Sequence, residues 1–201
     1  MIKVLNLLDM LRLFGEDSVK SYLSEFSTMI DKDGKTRNLN PDIESFLKSN
    51  SIQFAKERKS ITYVVGESQS GALLGFFTLT HKTIDIPAIG LSKTTIKRLE
   101  KHSKLNKNTN SYLVSAFLIA QFGKNYSVNK EMQISGGELM KLCYDELAEI
   151  RYRIGGNVIY LDCEADARLI RFYQDQQKFT LFGERISEND GKRYLQYMKF
   201  L

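Results

Sequence analysis

The run SYLVSAFLIAQFGKN, residues 111 to 125, limits the fold more than any other stretch of this chain. It is apolar almost without interruption, whereas a strand with one face in water alternates apolar and polar residues. Such a run is expected of a central strand covered on both faces. The rest of the chain should therefore be arranged as strands beside it and helices against it.

The flanking stretches supply those partners. KVLNLLDML reads as a first strand running into a helix start, and Val19, Tyr22, Leu23 and Phe26 then recur at helical spacing. TMIDKDGKTRNLNP reads as a polar loop with a turn signal at Asp33–Gly34. Asn40–Pro41 opens a helix, proline being tolerated early because its missing N–H costs little there. Ile43, Phe46, Leu47, Ile52 and Phe54 carry its apolar face to Lys56. ITYVVG and LLGFFTLT flank a turn near residues 67 to 71 and read as a hairpin. LSKTTIKRLEKHSK reads as one short helix, followed by an Asn/Lys-rich loop over residues 105 to 111. Beyond the central strand, ELMKLCYDELAEIRYRI is a helix stopped by Gly155–Gly156. NVIYLDCE, ADARLIRFYQDQQ and KFTLFGER then read as strand, helix and strand, and a last strand follows an Asp190–Gly191 turn. Strand–helix–strand order implies locally parallel strands, while the early hairpin and closing strands imply antiparallel flanks. The fold class is α/β or α+β with a mixed sheet.

The 201 residues, 42% hydrophobic and 26% charged, suit a single globular domain without disulfide staples. Cys143 and Cys163 read as small buried hydrophobes of a reducing compartment. The apolar N-terminus is interrupted by Asp9 and Arg12 with no cleavage site after it, and no run approaches the about 18 apolar residues of a spanning helix. A cytoplasmic protein with no membrane partner is expected. The net charge of +5 is local, since residues 93 to 107 hold six Lys/Arg and one Glu while the remaining 23 basic and 23 acidic residues cancel.

Four features could carry chemistry. QISGGEL, residues 133 to 139, lies between the central strand and a helix start, where glycine amides and free helix N–H groups can hold an anion. It could equally be an ordinary glycine turn, and it fits neither GxGxxG nor GxxxxGK[ST]. Gly123 near the end of the central strand marks either a backbone approached by a ligand or room for a neighbouring side chain. Tyr173 is either a core aromatic or a proton donor. Lys93, Lys97, Lys101 and Lys104 fall on one helical face, which is either merely solvated or an electropositive rim for a polyanion. His81 and His102 lack metal-ligand spacing, so no metal is assigned. Glu138, Asp162 and Glu164 are carboxylates in reach of a base role, but read more simply as solvated or capping groups.

Taken in order, these motifs resemble those of the GNAT N-acetyltransferase superfamily. Its loop of the form Gln/Arg-x-x-Gly-x-Gly/Ala is similar to Gln133-Ile134-Ser135-Gly136-Gly137-Glu138, with Glu138 in place of the last small residue. Its motif Asn-x-x-Ala-x-x-Phe-Tyr-x-x-x-Gly-Phe is similar to the stretch from Asp166 to Phe179. There Phe172, Tyr173 and Phe179 remain, Asp166 and Leu169 replace Asn and Ala, the glycine is absent, and one extra residue precedes Phe179. NPDIESFLKSNSIQFAKERKS, ITYVVG, LLGFFTLT and IAQFGKN look most like the acetyltransferase toxins of bacterial toxin–antitoxin pairs. The resemblance implies one GNAT-like domain over residues 1–201, with 1–39 a peripheral extension. Its sheet would be mixed and mostly antiparallel, with a splayed central parallel strand pair and flanking helices. It implies acetyl-CoA as donor, bound by Gln121, Phe122, Gly123, Lys124, the loop Gln133 to Glu138, Asp166 and Phe172. An amine would attack the thioester directly, a backbone N–H at Phe122–Lys124 would meet the developing charge, and Tyr173 would protonate the departing thiolate. The acceptor could be aminoacyl-tRNA held by the four lysines, with an antitoxin and a second copy of the chain as further partners. Acetylation of a small amine or protein amine, and acyl-CoA binding without turnover, are the alternatives.

Overall fold

In the computed structural model, which describes residues 1–32, 35–188 and 191–201, β1 (Ile2–Asn6) runs directly into α1 (Leu7–Phe14). Asn6 makes this junction, its side-chain oxygen accepting from Leu8 N at 2.9 Å as the helix cap. Gly15, at φ +77°, separates α1 from α2 (Glu16–Ser24). The stretch expected as a polar loop instead holds a two-stranded ladder, β2 (Met29–Lys32) with β3 (Lys35–Asn38). The Asp33–Gly34 turn signal between them lies outside the described residues. Asn40 caps α3 (Pro41–Ser45), which continues through a π-helical turn (Phe46–Asn50) into α4 (Ser51–Lys56). β4 (Ile61–Glu67) and β5 (Leu73–Pro87) form the expected hairpin. Ser92 caps α5 (Lys93–Leu99), and β6 (Leu105–Asn106) folds back on the start of β7 (Ser111–Lys124). A short 3-10 turn (Lys130–Met132) precedes α6 (Gly136–Ile154). β8 (Val158–Glu164), α7 (Ala167–Ile170) with a second π-helical turn (Arg171–Gln176), β9 (Thr180–Ile186) and β10 (Arg193–Phe200) follow. Gly191 sits between β9 and β10, and Asp190 of the expected turn is outside the described residues.

The chain forms two compact units, Met1–Thr80 with Ala120–Tyr152, and His81–Ile119 with Arg153–Leu201; β5 and β7 give one half to each. In the first unit the strand order is β1-β4-β5-β7. α1, α2 and the helical stretch from Pro41 to Lys56 bury Leu7, Met10, Val19, Leu23, Phe26, Leu47 and Ile52 against Val64, Leu73 and Phe76. Residues 1–39, expected as a peripheral extension, thus supply a sheet strand and much of this core. In the second unit the order is β5-β7-β8-β10-β9. β8 and β10, and β10 and β9, are antiparallel, while β7 and β8 are parallel, Phe117 opposite Ile159 and Leu118 opposite Tyr160. Its core gathers Ile84, Ile86, Leu99, Tyr112, Val114, Val158, Tyr160, Phe182 and Met198. The mixed, mostly antiparallel sheet with helices matches the fold class read from the sequence. Both cysteines are buried free thiols, as expected, and burial pushes Cys163 up to about 12. Among the described residues no helix is long and apolar enough to cross a membrane.

Two expectations are corrected. The first half of β7 is not covered on both faces: Tyr112, Val114 and Ala116 are buried, but Leu113 is 63% exposed and Ser115 faces solvent. The lysine stripe is not one helix face, because α5 ends at Leu99. Backbone bonds from Lys101 N to Arg98 O and His102 N to Leu99 O tighten the chain into turns, so Lys101 and Lys104 lie beyond the helix.

Just past β7, Asn125 is only 1% exposed and fully committed. Its amide donates to Leu73 O at 2.8 Å and Glu25 O at 3.3 Å, and its Oδ1 accepts from Ser27 N at 2.8 Å and Ser127 N at 3.0 Å. One side chain thus ties the end of α2, the start of β5 and the exit of β7. Asn125→Ala removes the partner of the buried Leu73 O and of the part-buried Ser27 N and Ser127 N, while Glu25 O keeps Ser127 Oγ, and should cost about 2–4 kcal/mol in urea unfolding. Ser127→Ala, at an exposed position, should cost under about 1 kcal/mol by the same measurement.

Candidate active site

In the first unit, candidate residues gather where β7 ends beside β5. A Cβ added to Gly123 would stand 2.8 Å from Ile43 Cγ2, 3.2 Å from Phe26 Cζ and 3.3 Å from Phe76 Cε1. Gly123 is therefore accounted for by room for its neighbours, one of the two readings open from the sequence. Gly75 opposite is equally constrained, its added Cβ falling 2.8 Å from Gly123 O. The strands approach as closely as they do because neither residue has a side chain. Gln121, Phe122 and Lys124 are half-buried at this end of the strand. Lys124 holds its Nζ 4.9 Å above the Tyr126 ring, and burial lowers its amine below the ordinary value, with Glu138 acting in the opposite direction.

The loop from Gln133 to Glu138 is held from inside. Gln133 Nε2 donates to Val128 O at 3.2 Å, and Ile134 is buried. Ser135 and Glu138 form a reciprocal cap on α6: Glu138 N donates to Ser135 Oγ at 3.1 Å, and Ser135 N donates to Glu138 Oε2 at 2.7 Å. These bonds hold the Glu138 carboxyl below the usual carboxylate range. Gly137 is different from Gly123. A Cβ there would meet only Ser135 Oγ, at 3.9 Å, so nothing in the chain's own packing requires a glycine. The bare backbone at the first turn of a 19-residue helix leaves room for a group from outside the chain.

A separate group of candidate residues, in the second unit, is built on α7 and its π-helical turn. Asp166 caps α7, accepting from Arg168 N at 2.8 Å; the Arg168 side chain beside it is the main cause of its lowered carboxyl. Tyr173 is 7% exposed, its ring 5.0 Å from Phe172, 5.9 Å from Phe179 and 6.5 Å from Tyr197. Tyr197 donates to Gln174 Oε1 at 3.3 Å, and burial raises its phenol. The two departures from the family's spacing are explained here. A π-helical turn carries one more residue than an α-turn, so the extra residue before Phe179 is absorbed as Gln177 N bonds back to Phe172 O. Lys178, in the place of the missing glycine, takes φ +60°, the left-handed conformation a glycine adopts freely. Lys199 braces this turn, donating to Gln177 O at 2.9 Å.

The carboxylates considered as bases are otherwise engaged. Arg185 Nε donates to Asp162 Oδ2 and Lys192 Nζ to Glu164 Oε1, both at 2.6 Å, and Glu138 caps α6. His81 packs edge-on against Phe117 and His102 lies over Phe200; no cluster able to hold a metal occurs among the described residues. Lys93, Lys97, Lys101 and Lys104 are all exposed, and none is in an ion pair among the described residues. Sequence reasoning missed Asn125 and Lys199, because both act through backbone carbonyls that no side-chain pattern marks.

No protein-family profile and no curated protein matches the chain. Solved structures do. AtaT complexed with acetyl-methionyl-tRNAfMet matches with a TM-score of 0.63 and 11% identity, over 96% of this chain and 94% of that one. A mutant AtaT toxin bound to acetyl-CoA and the C-terminus of the antitoxin AtaR gives 0.57 and 10%, over 100% and 92%. A GNAT-family acetyltransferase from Desulfovibrio desulfuricans, described as putative, gives 0.53 and 9%, over 100% and 99%. The fold is that of the GNAT acetyltransferases. Within that fold it resembles the toxins most clearly, as the sequence motifs implied.

Lys178→Gly should relieve about 1–2 kcal/mol of left-handed strain while adding about 0.5–1 kcal/mol of chain entropy. The net expectation is a melting temperature raised by about 2–4 °C in calorimetry; a lower value would show that the Lys178 side chain itself holds the turn.

Proposed function

We propose that the chain is an N-acetyltransferase that moves an acetyl group from acetyl-CoA to an amine by direct attack. The observation that carries this is the bare Gly137 backbone at the start of α6, in a fold shared with proteins solved with acetyl-CoA. The residues fit such a donor. Gly136 and Gly137 would offer its diphosphate their backbone N–H groups, joined by those of Ser135 and Glu138 once the reciprocal cap opens, with Gln133 and Ile134 fixing the loop. Gln121 to Lys124 would line its pantetheine arm, and Asp166 and Phe172 would hold the helix that presents Tyr173.

The donor supplies an activated thioester. A backbone N–H at Phe122–Lys124 would stabilise negative charge on the carbonyl oxygen. The Tyr173 hydroxyl would give its proton to the thiolate sulfur as the C–S bond breaks, and the proton lost by the attacking amine would pass to solvent, from which the tyrosine is reprotonated. A phenol near pKa 10 facing a thiol near 8.5 makes this transfer uphill by roughly 2 kcal/mol, so the tyrosine assists without dominating. General acid help of this kind is worth about 10²–10⁴-fold. Asp162 and Glu164 are held in ion pairs and Glu138 caps α6, so the reading gives none of them a base role.

Aminoacyl-tRNA is the acceptor class that the charge distribution favours. The basicity is concentrated in residues 93 to 107, whose cations make no ion pair among the described residues, and AtaT is solved with an acetylated aminoacyl-tRNA. An antitoxin is a partner on the same reading, supported by the AtaR complex of AtaT.

Tyr173→Phe should lower acetyl-CoA turnover at least about tenfold, with acetyl-CoA affinity nearly unchanged. Undiminished turnover would remove the acid role, and binding without turnover in the unaltered chain would leave an acyl-CoA-binding module. Glutamine at Lys93, Lys97, Lys101 and Lys104 together should weaken tRNA binding at least about tenfold and reduce its log–log salt slope by about 3. An unchanged slope would leave these lysines as a merely solvated surface.

A further inference from the structure

Where the resembled family ends its diphosphate loop in a small residue, this chain carries Glu138. Its carboxylate is not directed away from the loop. Glu138 Oε2 accepts from Ser135 N at 2.7 Å, so one of the backbone donors at this helix start is already occupied by an anion of the chain itself. Those same Ser135 bonds keep the carboxyl ionised at neutral pH, a full negative charge where a diphosphate would bring its own. Lys124, at the end of β7, is close enough to act on this carboxylate electrostatically. Lys124 is half-buried and makes no ion pair within 4 Å among the described residues; its Nζ rests over the Tyr126 ring. A partly desolvated ammonium whose neighbouring carboxylate is committed elsewhere is under-neutralised, and a multiply charged anion is its natural counterion. The bare backbone of Gly137, next to Glu138 in the chain, leaves space for that anion.

We infer that Glu138 and Lys124 act as a charge switch on the donor's diphosphate: the Glu138 carboxylate fills the Ser135 amide in the free chain, and an incoming diphosphate displaces it and takes Lys124 as its counter-cation. This rests on the acetyl-CoA reading above. The consequence is selectivity. Anions too weakly charged to displace the carboxylate leave the loop closed, and the chain's affinity for its donor is lower than that of a site with a small residue at the same position.

The test is calorimetric titration of acetyl-CoA into the full chain, Glu138→Gln and Lys124→Gln. Glutamine keeps the reciprocal cap with Ser135 while removing the charge, so Glu138→Gln leaves the helix start intact. The expected result is acetyl-CoA bound about fivefold more tightly by Glu138→Gln and at least about tenfold more weakly by Lys124→Gln. A gain of affinity cannot come from damaged folding, which makes Glu138→Gln the decisive variant. Unchanged or weaker binding by Glu138→Gln, or unchanged binding by Lys124→Gln, overturns the switch and leaves the acetyl-CoA reading in place. No saturable binding by the unaltered chain overturns that reading instead.

Discussion

Two strands meet without side chains where β5 passes the end of β7, and the first unit depends on that approach. Gly75 and Gly123 let the backbones come so close that a methyl group on either would strike the other strand or the core behind it. Immediately beyond, Asn125 spends its hydrogen-bonding capacity on four backbone groups in three separate segments. Between them these residues determine where β7 stops and in which direction the chain leaves toward the Gln133–Glu138 loop. The loop in turn is closed by Gln133 on one side and by the Ser135–Glu138 cap on the other. A rigid platform results, with one bare glycine at the helix start as its open position. Its backbone is ordered before an anion arrives, so binding has only to displace the Glu138 carboxylate from the Ser135 amide.

The order and type of most elements are legible in the sequence because they rest on local signals: the Asn40–Pro41 helix start, glycines after α6, and apolar periodicity. What escaped was non-local or conformational. Leu113 and Ser115 sit in an apolar run but face outward, since burial depends on what covers a strand and not on the strand alone. The lysine stripe was drawn as one helix because its spacing is helical, yet the buried Leu99 and the tight turns after it end α5. Gly123 looked like either a ligand contact or a packing residue, and only the positions of Ile43, Phe26 and Phe76 decide for packing.

The stretch around Tyr173 shows how a motif survives an altered sequence. One inserted residue would rotate everything after it by about 100° on an α-helix, and losing the glycine would forbid the turn into Phe179. The π-helical turn takes up the first change and the left-handed Lys178 the second, so Phe179 still packs on the Tyr173 ring. Neither compensation is visible in residue types, since lysine carries no signal for positive φ and π-turns have no simple pattern. The charge pattern is legible in the other direction: a chain neutral outside residues 93 to 107 concentrates its field on one segment of the second unit.

The account stands on acetyl transfer to an amine, and the most direct measurement of it is release of the CoA thiol from acetyl-CoA in the presence of small amines, peptides and aminoacyl-tRNAs, read alongside the mass of each acceptor. The account predicts thiol release that depends on one acceptor class and equals the N-acetyl product formed, with aminoacyl-tRNA the best acceptor. Thiol release no faster than the uncatalysed background with every acceptor, in a chain that is folded, would contradict it.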